Sequence, residues 1–296
     1  IGCFGIGNMF QSNQAAVILT SQLGESNFAY SNVLVGLVMA VAIGLVIIGG
    51  LKSIASVTSR LVPMMLVVYL ALVIIVLGLN YSLVDDAFAL IFSEAFTANG
   101  VSGGVIGAMI IGFQRAVFSN EAGLGSAGIA HAAAKTDEPV TQGMVALLEP
   151  FIDSVVVCTM TALVIVILVI LPGEATNGIS GIEMSIRAFD TAIPGSSPLL
   201  AIIATLFAFS TMLAWSYYGL IALEYLVGRS ELSSMIFRLT FLFFIVVGSA
   251  INLQSVIDIS DALVFLISIP NLIGLYLLAP EVKRELIAFQ QRYANS

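Results

Sequence analysis

Polar positions are so sparse in this chain that long stretches carry no charge at all. Uncharged runs cover 33–51, 61–79, 154–171, 198–223 and 262–280, each close to or beyond the ~20 helical residues that cross a hydrocarbon core about 30 Å thick. Extending the reading to apolar stretches with a few polar interruptions predicts eight spans, at about 1–22, 33–51, 61–79, 104–131, 147–171, 198–226, 235–252 and 260–280. The basic residues sort between alternate loops. Lys52 and Arg60 fall between spans two and three, Lys135 follows span four, Arg229 and Arg238 flank the turn before span seven, and Lys283, Arg284 and Arg292 lie in the tail. The opposite loops, 23–32, 80–103, 172–197 and 253–259, hold only Arg187. Because Lys and Arg concentrate on the cytoplasmic side, this alternation predicts a multi-pass protein of the cytoplasmic membrane with a cytoplasmic C-terminus.

Composition agrees with a lipid solvent. Of the 296 residues 59% are hydrophobic and 9% charged, with a mean hydropathy of +1.08, against roughly 25% charged residues in soluble domains. The formal charge of −8 argues against nucleic acid as a partner, which requires a basic surface. Cys3 and Cys158 lie far apart, and one histidine makes a zinc site a poor expectation. No catalytic triad, metal-ligand spacing or phosphate loop stands out, so the chain is not expected to be an enzyme. The sequence starts with Ile1 inside an apolar stretch, without an initiator Met, and is read as a fragment whose upstream helices are missing. It is taken as a single transmembrane domain, with a short helix in GISGIEMSIRAFDTAI at the outer surface and an amphipathic or simply solvated tail in EVKRELIAFQQRY.

Span four is interrupted. The run VFSNEAGLGSAGIAH places Ser119, Asn120 and Glu121 beside Gly123, Gly125 and Gly128, and irregular backbone is tolerated at membrane depth only where protein or a wet cavity covers it. The stretch 119–126 is therefore expected to break a helix into two halves whose loose amides and carbonyls hold a carboxylate and a cation. Two readings are open for the glycines: this break, or close packing against a neighbouring helix. Arg115 is the candidate partner of Glu121.

Other spans carry isolated polarity. In span one, Asn8, Gln11 and Asn13 cannot all face lipid, and Asn8 and Gln11 share a helix face. In span six, Ser210, Thr211, Trp215 and Ser216 stand together, with Thr211 and Trp215 four residues apart on one face. A membrane Ser or Thr commonly bonds the carbonyl four residues back, whereas Trp215, near the middle of an uncharged run, reads as a pocket wall. Asp153 is either a helix-end carboxylate or an ion-coordinating or gating group. His131 reads as a capping or packing residue, with proton handling as the alternative. Asp258 and Asp261 flank the start of span eight, where carboxylates complement a helix N-terminus.

GFQRAVFSNEAGLGSAGIAHAAAKTDEPVTQGMVALLEPFIDSVVVCTMTALVI closely resembles the most distinctive block of the alanine or glycine:cation symporter family, and FGIGNMFQSNQ, LIFSEAF and TMLAWSYYG are similar to its other recurring blocks. The resemblance implies an all-α membrane protein of leucine-transporter type, with five-plus-five inverted repeats, the eight spans here corresponding to core helices three to ten. The first discontinuous helix would then be absent, and a fragment lacking it should not transport alone. It further implies a sodium-driven, in some members proton-driven, symporter of alanine or glycine, with the sodium ion as coupling ion and no other cofactor. A channel or receptor-like amino-acid-binding protein is the alternative. Carried over by motif, Gln11, Phe118, Ser119, Thr211 and Trp215 line the substrate pocket, Ser210, Thr211 and Asn120 are cation candidates, and Gly123 and Gly125 mark the broken helix. Gly128, where Pro is common, and Ser154, where Thr is usual, depart from the family pattern.

Overall fold

The computed structural model describes residues 1–23, 30–96, 104–173, 179 and 181–294, and among the described residues every regular element is helical. In chain order, α1 spans 2–22, α2 Ser31–Ile47, α3 Gly50–Leu79, α4 Val84–Ala95, α5 Gly104–Asn120, α6 Ser126–His131, α7 Pro139–Ile170, α8 Ile182–Ala192, α9 Ser197–Val227, α10 Glu231–Ala250 and α11 Leu253–Ala294. Five of these, α3, α7, α9, α10 and α11, are long and apolar enough to cross a membrane. The other three expected spans differ. α2 has 17 residues, α1 passes through a π-helical segment at Gly5–Met9, and the fourth is divided into α5 and α6.

Helix boundaries move in informative ways. Gly50, with φ of +64°, lies in the left-handed region that suits glycine and turns the chain so abruptly that Lys52 and Arg60 belong to α3 rather than to a loop. The tail is not a separate helix; α11 runs 42 residues through Pro270 and Pro280, and Arg292 pairs with Glu138 at 2.6 Å. That pair puts the tail on the same side as the loop carrying Lys135. Helix α4 is absent from the sequence reading although Asp85 and Asp86 stand in its first turn, where carboxylates complement the exposed amides. The expected short helix in 172–197 is α8, and its Ile186, Ala188 and Phe189 are buried in the bundle.

Two antiparallel helices, α1 and α9, form the centre. Gly7 faces Trp215, Cys3 faces Gly219, and Ile18 at the other end shares a cluster with Leu200 and Ala201. One apolar core surrounds Trp215, with Ile6, Ile43, Met212, Phe241 and Ile245; the second surrounds Phe189, with Ile18, Val73, Val164 and Ile167. Helix α10 runs parallel to α1: the Asn8 amide donates to the Phe241 carbonyl at 2.7 Å, and the Asn13 amide donates to the carbonyls of Gly248 at 3.0 Å and Ile251 at 2.8 Å. These bonds explain two of the three polar residues of span one, since a buried amide must be partnered. Gly248 lets the backbones meet, because a Cβ there would lie 2.5 Å from Met9 Cα, the small-residue approach typical of membrane helices. Helix α2 packs antiparallel on α10, with Gly36 against Ser249 and Gly44 against Leu242. α5 and α11 run parallel, Arg115 meeting Asp261 and Gly123 meeting Asn271. Each of these directions is the one that a chain crossing back and forth gives.

Candidate functional site

The break lies at residues 121–125, with Ser119 and Asn120 still in α5 and the second half-helix starting at Ser126 rather than Ala127. Its backbone dictates its residues. Glu121, Gly123 and Gly125 all have positive φ, at 57°, 85° and 87°; glycine adopts this freely, while a side chain in the left-handed region costs roughly 1–2 kcal/mol. A Cβ on Gly123 or Gly128 would meet nothing within 4 Å, so packing does not account for them, and at Gly123 the conformation does. At Gly125 both reasons apply, since a Cβ would stand 2.8 Å from Asn271 Oδ1. The freed backbone groups are met inside the protein, as a lipid surround demands: the Ala122 N–H donates to Asn120 Oδ1 at 2.9 Å and the Asn271 amide donates to the Gly123 carbonyl at 2.8 Å.

Glu121 ties the break together. Its Oε1 accepts the Trp215 indole N–H at 2.8 Å, and its Oε2 accepts the Ser126 hydroxyl from the start of the second half-helix. The strained residue is thus fixed by two partners at once, one on α9 and one across the break. Arg115, expected as its partner, instead forms an ion pair with Asp261 on α11 and lies 5.7 Å over the Phe118 ring. The reason is directional: Arg115 precedes Glu121 by six residues, which puts the two on different helix faces. Asp261, expected to serve the start of span eight, lies two turns inside α11, which begins at Leu253.

Besides a cavity of about 730 Å³ that Leu124, Gly125, Ser126 and Trp215 line, two smaller ones lie around this junction. One, of about 480 Å³, is lined by Gln11, Asp153, Thr161, Ser185, Phe189 and Phe207 among others and reaches Gly181 and Ile182 beside α8. The other, of about 350 Å³, is lined by Glu121, Ser210, Thr211, Trp215, Tyr218 and Thr58 and reaches Leu51, Ala130 and Ala133, next to Lys52 and Lys135. Gln11 and Trp215 thus line different cavities, that of Gln11 toward the charge-poor loop and the 350 Å³ cavity beside Trp215 toward the basic turns. Gly7 packs on Trp215 so closely that a Cβ there would lie 1.8 Å from its Cγ, which holds α1 tightly against α9.

The remaining predicted residues divide between structure and opportunity. Ser210 and Thr211 both donate to the Phe207 carbonyl, at 2.9 and 3.0 Å, the self-satisfying bond that a membrane hydroxyl favours; their oxygen lone pairs stay open toward the second cavity. Asn120 is engaged at both ends, donating to Ser154 Oγ at 2.9 Å and accepting from Ala122. Phe118 packs edge to face on Phe10 with centroids 4.9 Å apart, and Phe10 lines the 480 Å³ cavity. Ser119 donates to Asp153 Oδ2 at 2.5 Å. His131 joins α6 to α7: Gln142 donates to its Nδ1 at 2.6 Å, leaving Nε2 as the donor to Glu149 at 3.1 Å, an assignment that needs no extra proton.

Comparison with known proteins places this geometry in context. Residues 1–296 match the sodium:alanine symporter family. The chain is 40% identical over 293 residues to the sodium/alanine symporter AgcS of Methanococcus maripaludis, covering 99% of this chain and 63% of that protein. It is 33% identical over 282 residues to the probable sodium/glutamine symporter GlnT of Bacillus subtilis, covering 94% and 57%. It is 32% identical over 263 residues to a sodium/proton-dependent alanine carrier of Bacillus sp. strain PS3, covering 80% and 59%. The chain thus spans about 60% of the length of these relatives. A match that runs the whole length of these residues settles the family: this chain belongs to the sodium:alanine symporter family.

Proposed function

We propose that this chain forms the larger part of a secondary active symporter that couples inward sodium movement to uptake of a small neutral amino acid, alanine or glycine. The observation that carries the reading is the break at 121–125, pinned through Glu121 to Trp215 between two cavities that lie toward opposite loops. A helix divided in this way supplies a pivot and loose backbone groups beside a protected volume, which is how discontinuous helices serve alternating access.

In this reading the eight helical stretches correspond to core helices three to ten of a five-plus-five inverted repeat in the cytoplasmic membrane, the C-terminus inside. Gln11, Phe118, Ser119, Thr211 and Trp215 meet the amino acid as it passes. Sodium, a hard cation that prefers oxygen ligands, takes the hydroxyls of Ser210 and Thr211, with Asn120 Oδ1 offering its second lone pair. The relatives' names cite alanine and glutamine. The aromatic walls Phe118 and Trp215 favour the smaller side chain, and Trp215→Ala is expected to admit larger substrates.

The test is uptake of labelled alanine by the full-length protein in sealed vesicles. Accumulation above the external concentration, only under an inward sodium gradient, is the expected result. Equilibration that ignores the gradient would replace the symporter by the channel or receptor-like alternative, and a proton gradient substituting fully for sodium would replace the coupling ion.

A further inference from the structure

Asp153 is the one carboxylate that the site residues above leave unexplained. It stands in the π-helical segment Phe151–Cys158 of α7, a helical form common at functional positions because it re-aims side chains. It is not a simple cap: its Oδ2 accepts the Ser119 hydroxyl at 2.5 Å and the Ser154 hydroxyl at 3.2 Å, while Oδ1 has no partner among the described residues. The side chain lines the 480 Å³ cavity together with Gln11, whose amide also has no hydrogen-bond partner among the described residues. Neighbouring Gln14 is already occupied, accepting the Ile182 N–H at 3.0 Å and donating to Asn13 at 3.2 Å.

The charge balance of this chamber is incomplete. Its other lining residues are uncharged, and none is Lys, Arg or His. The nearby cation Arg115 is taken by Asp261. A carboxylate at the wall of a largely apolar membrane cavity, fixed through one oxygen and open at the other, calls for a mobile cation. Gln11 in the same wall offers amide N–H donors, the complement of a carboxylate.

We infer that Asp153 and Gln11 form a two-point recognition site for a free α-amino acid in the chamber next to α8, Asp153 Oδ1 taking the ammonium group and the Gln11 amide the carboxylate. This deepens the symporter reading and rests on it, adding an ammonium-binding residue on α7. The chamber lies toward the charge-poor loops, so it is where the amino acid lands before reaching Thr211 and Trp215. Ser119 then has a second duty: its hydroxyl orients Asp153 across the contact between α5 and α7, linking occupancy of the landing site to the half-helix that ends at the break.

The experiment is calorimetric binding to the full-length protein in lipid nanodiscs, using alanine, propionate, which lacks the ammonium group, and sodium alone. Wild-type protein should bind alanine far more tightly than propionate. Asp153→Asn, similar in size and hydrogen-bonding reach, should weaken alanine at least tenfold and leave propionate and sodium binding within twofold. Asp153→Glu should recover part of the alanine affinity, as retained charge predicts. Unchanged alanine affinity in Asp153→Asn, with or without a lowered melting temperature, would reduce Asp153 to a brace between α5 and α7 and overturn the inference. Weakened sodium binding with alanine affinity intact at saturating sodium would overturn it in favour of a sodium ligand. If wild-type protein binds no alanine, the symporter reading fails as well, which separates the two failures.

Discussion

Gly7→Ala is a one-carbon change that probes the close packing of α1 on Trp215 of α9. A methyl group at position 7 would lie 1.8 Å from Trp215 Cγ, 2.2 Å from Cδ1 and 2.3 Å from Cβ, whereas non-bonded carbons rest about 3.5 Å apart. The indole must retreat by about 1.7 Å to restore that separation. Its N–H now lies 2.8 Å from Glu121 Oε1, so the retreat breaks the bond that fixes the strained residue of the break. A hydrogen bond to a charged group contributes about 1.5–3 kcal/mol, and forcing an extra methylene into a packed core costs about 1–3 kcal/mol. The expected destabilisation is about 2.5–6 kcal/mol. Thermal unfolding in detergent measures the loss, and emission from Trp215, the single tryptophan of these 296 residues, should shift as the indole leaves its site. In a Trp215→Ala background the same Gly7→Ala change should cost less than about 1 kcal/mol, because the clashing ring is gone. Equal cost in both backgrounds would refute the proposed contact.

Three further outcomes follow from individual contacts. Gly125→Ala must hold a side chain at φ of 87° against Asn271 Oδ1, 2.8 Å away; a loss of at least about 1–2 kcal/mol in unfolding free energy is expected, whereas Gly128→Ala, in open helical space, should be neutral or stabilising. Asn13→Ala leaves the carbonyls of Gly248 and Ile251 without their donor and should cost about 1–3 kcal/mol, read in the same melting experiment. At the start of α9, the Ser197 hydroxyl and the backbone N–H groups of Ser197 and Gly195 hold the Asp190 carboxyl below its ordinary 3.8. A lowered folded value means stability that is present above 3.8 and lost as pH falls through the lowered value. Asp190→Asn should flatten that acid limb of a melting-temperature profile and leave its neutral region nearly flat.

Much of this arrangement was legible in the sequence, for identifiable reasons. Hydrophobic run length marks α3, α7, α9, α10 and α11, because crossing hydrocarbon requires it. The break was visible because Glu121, Gly123 and Gly125 violate a strong local rule at membrane depth, and the structure places positive φ at those three residues. What the sequence hid depends on which helix lies beside which. Neither the Arg115 pair with Asp261, 146 residues on, nor the Trp215 bond to Glu121, 94 residues back, has a local signature. Asn8 and Asn13 were expected only to avoid lipid, and the sequence does not say that they bond α10, since an interhelical tie has no local signature. Gln11 and Trp215 looked like walls of one pocket but line different cavities, and the contact that packs α1 on Trp215 involves Gly7, a residue with no side chain to announce a partner. Helix α4 has no signature of a span because its 12 residues fall short of a membrane crossing, although the Asp85–Asp86 pair marks its start.

The account's central claim is that the break at 121–125 borders an aqueous ligand site rather than lipid. Ala122 is exposed within it, so Ala122→Cys, with Cys3 and Cys158 replaced by Ala, tests the claim through its rate of labelling by a charged, membrane-impermeant thiol reagent. Ready labelling that slows when alanine and sodium are added together is the predicted result. A thiol that stays unlabelled, or one labelled at the same rate with and without alanine and sodium, would contradict it.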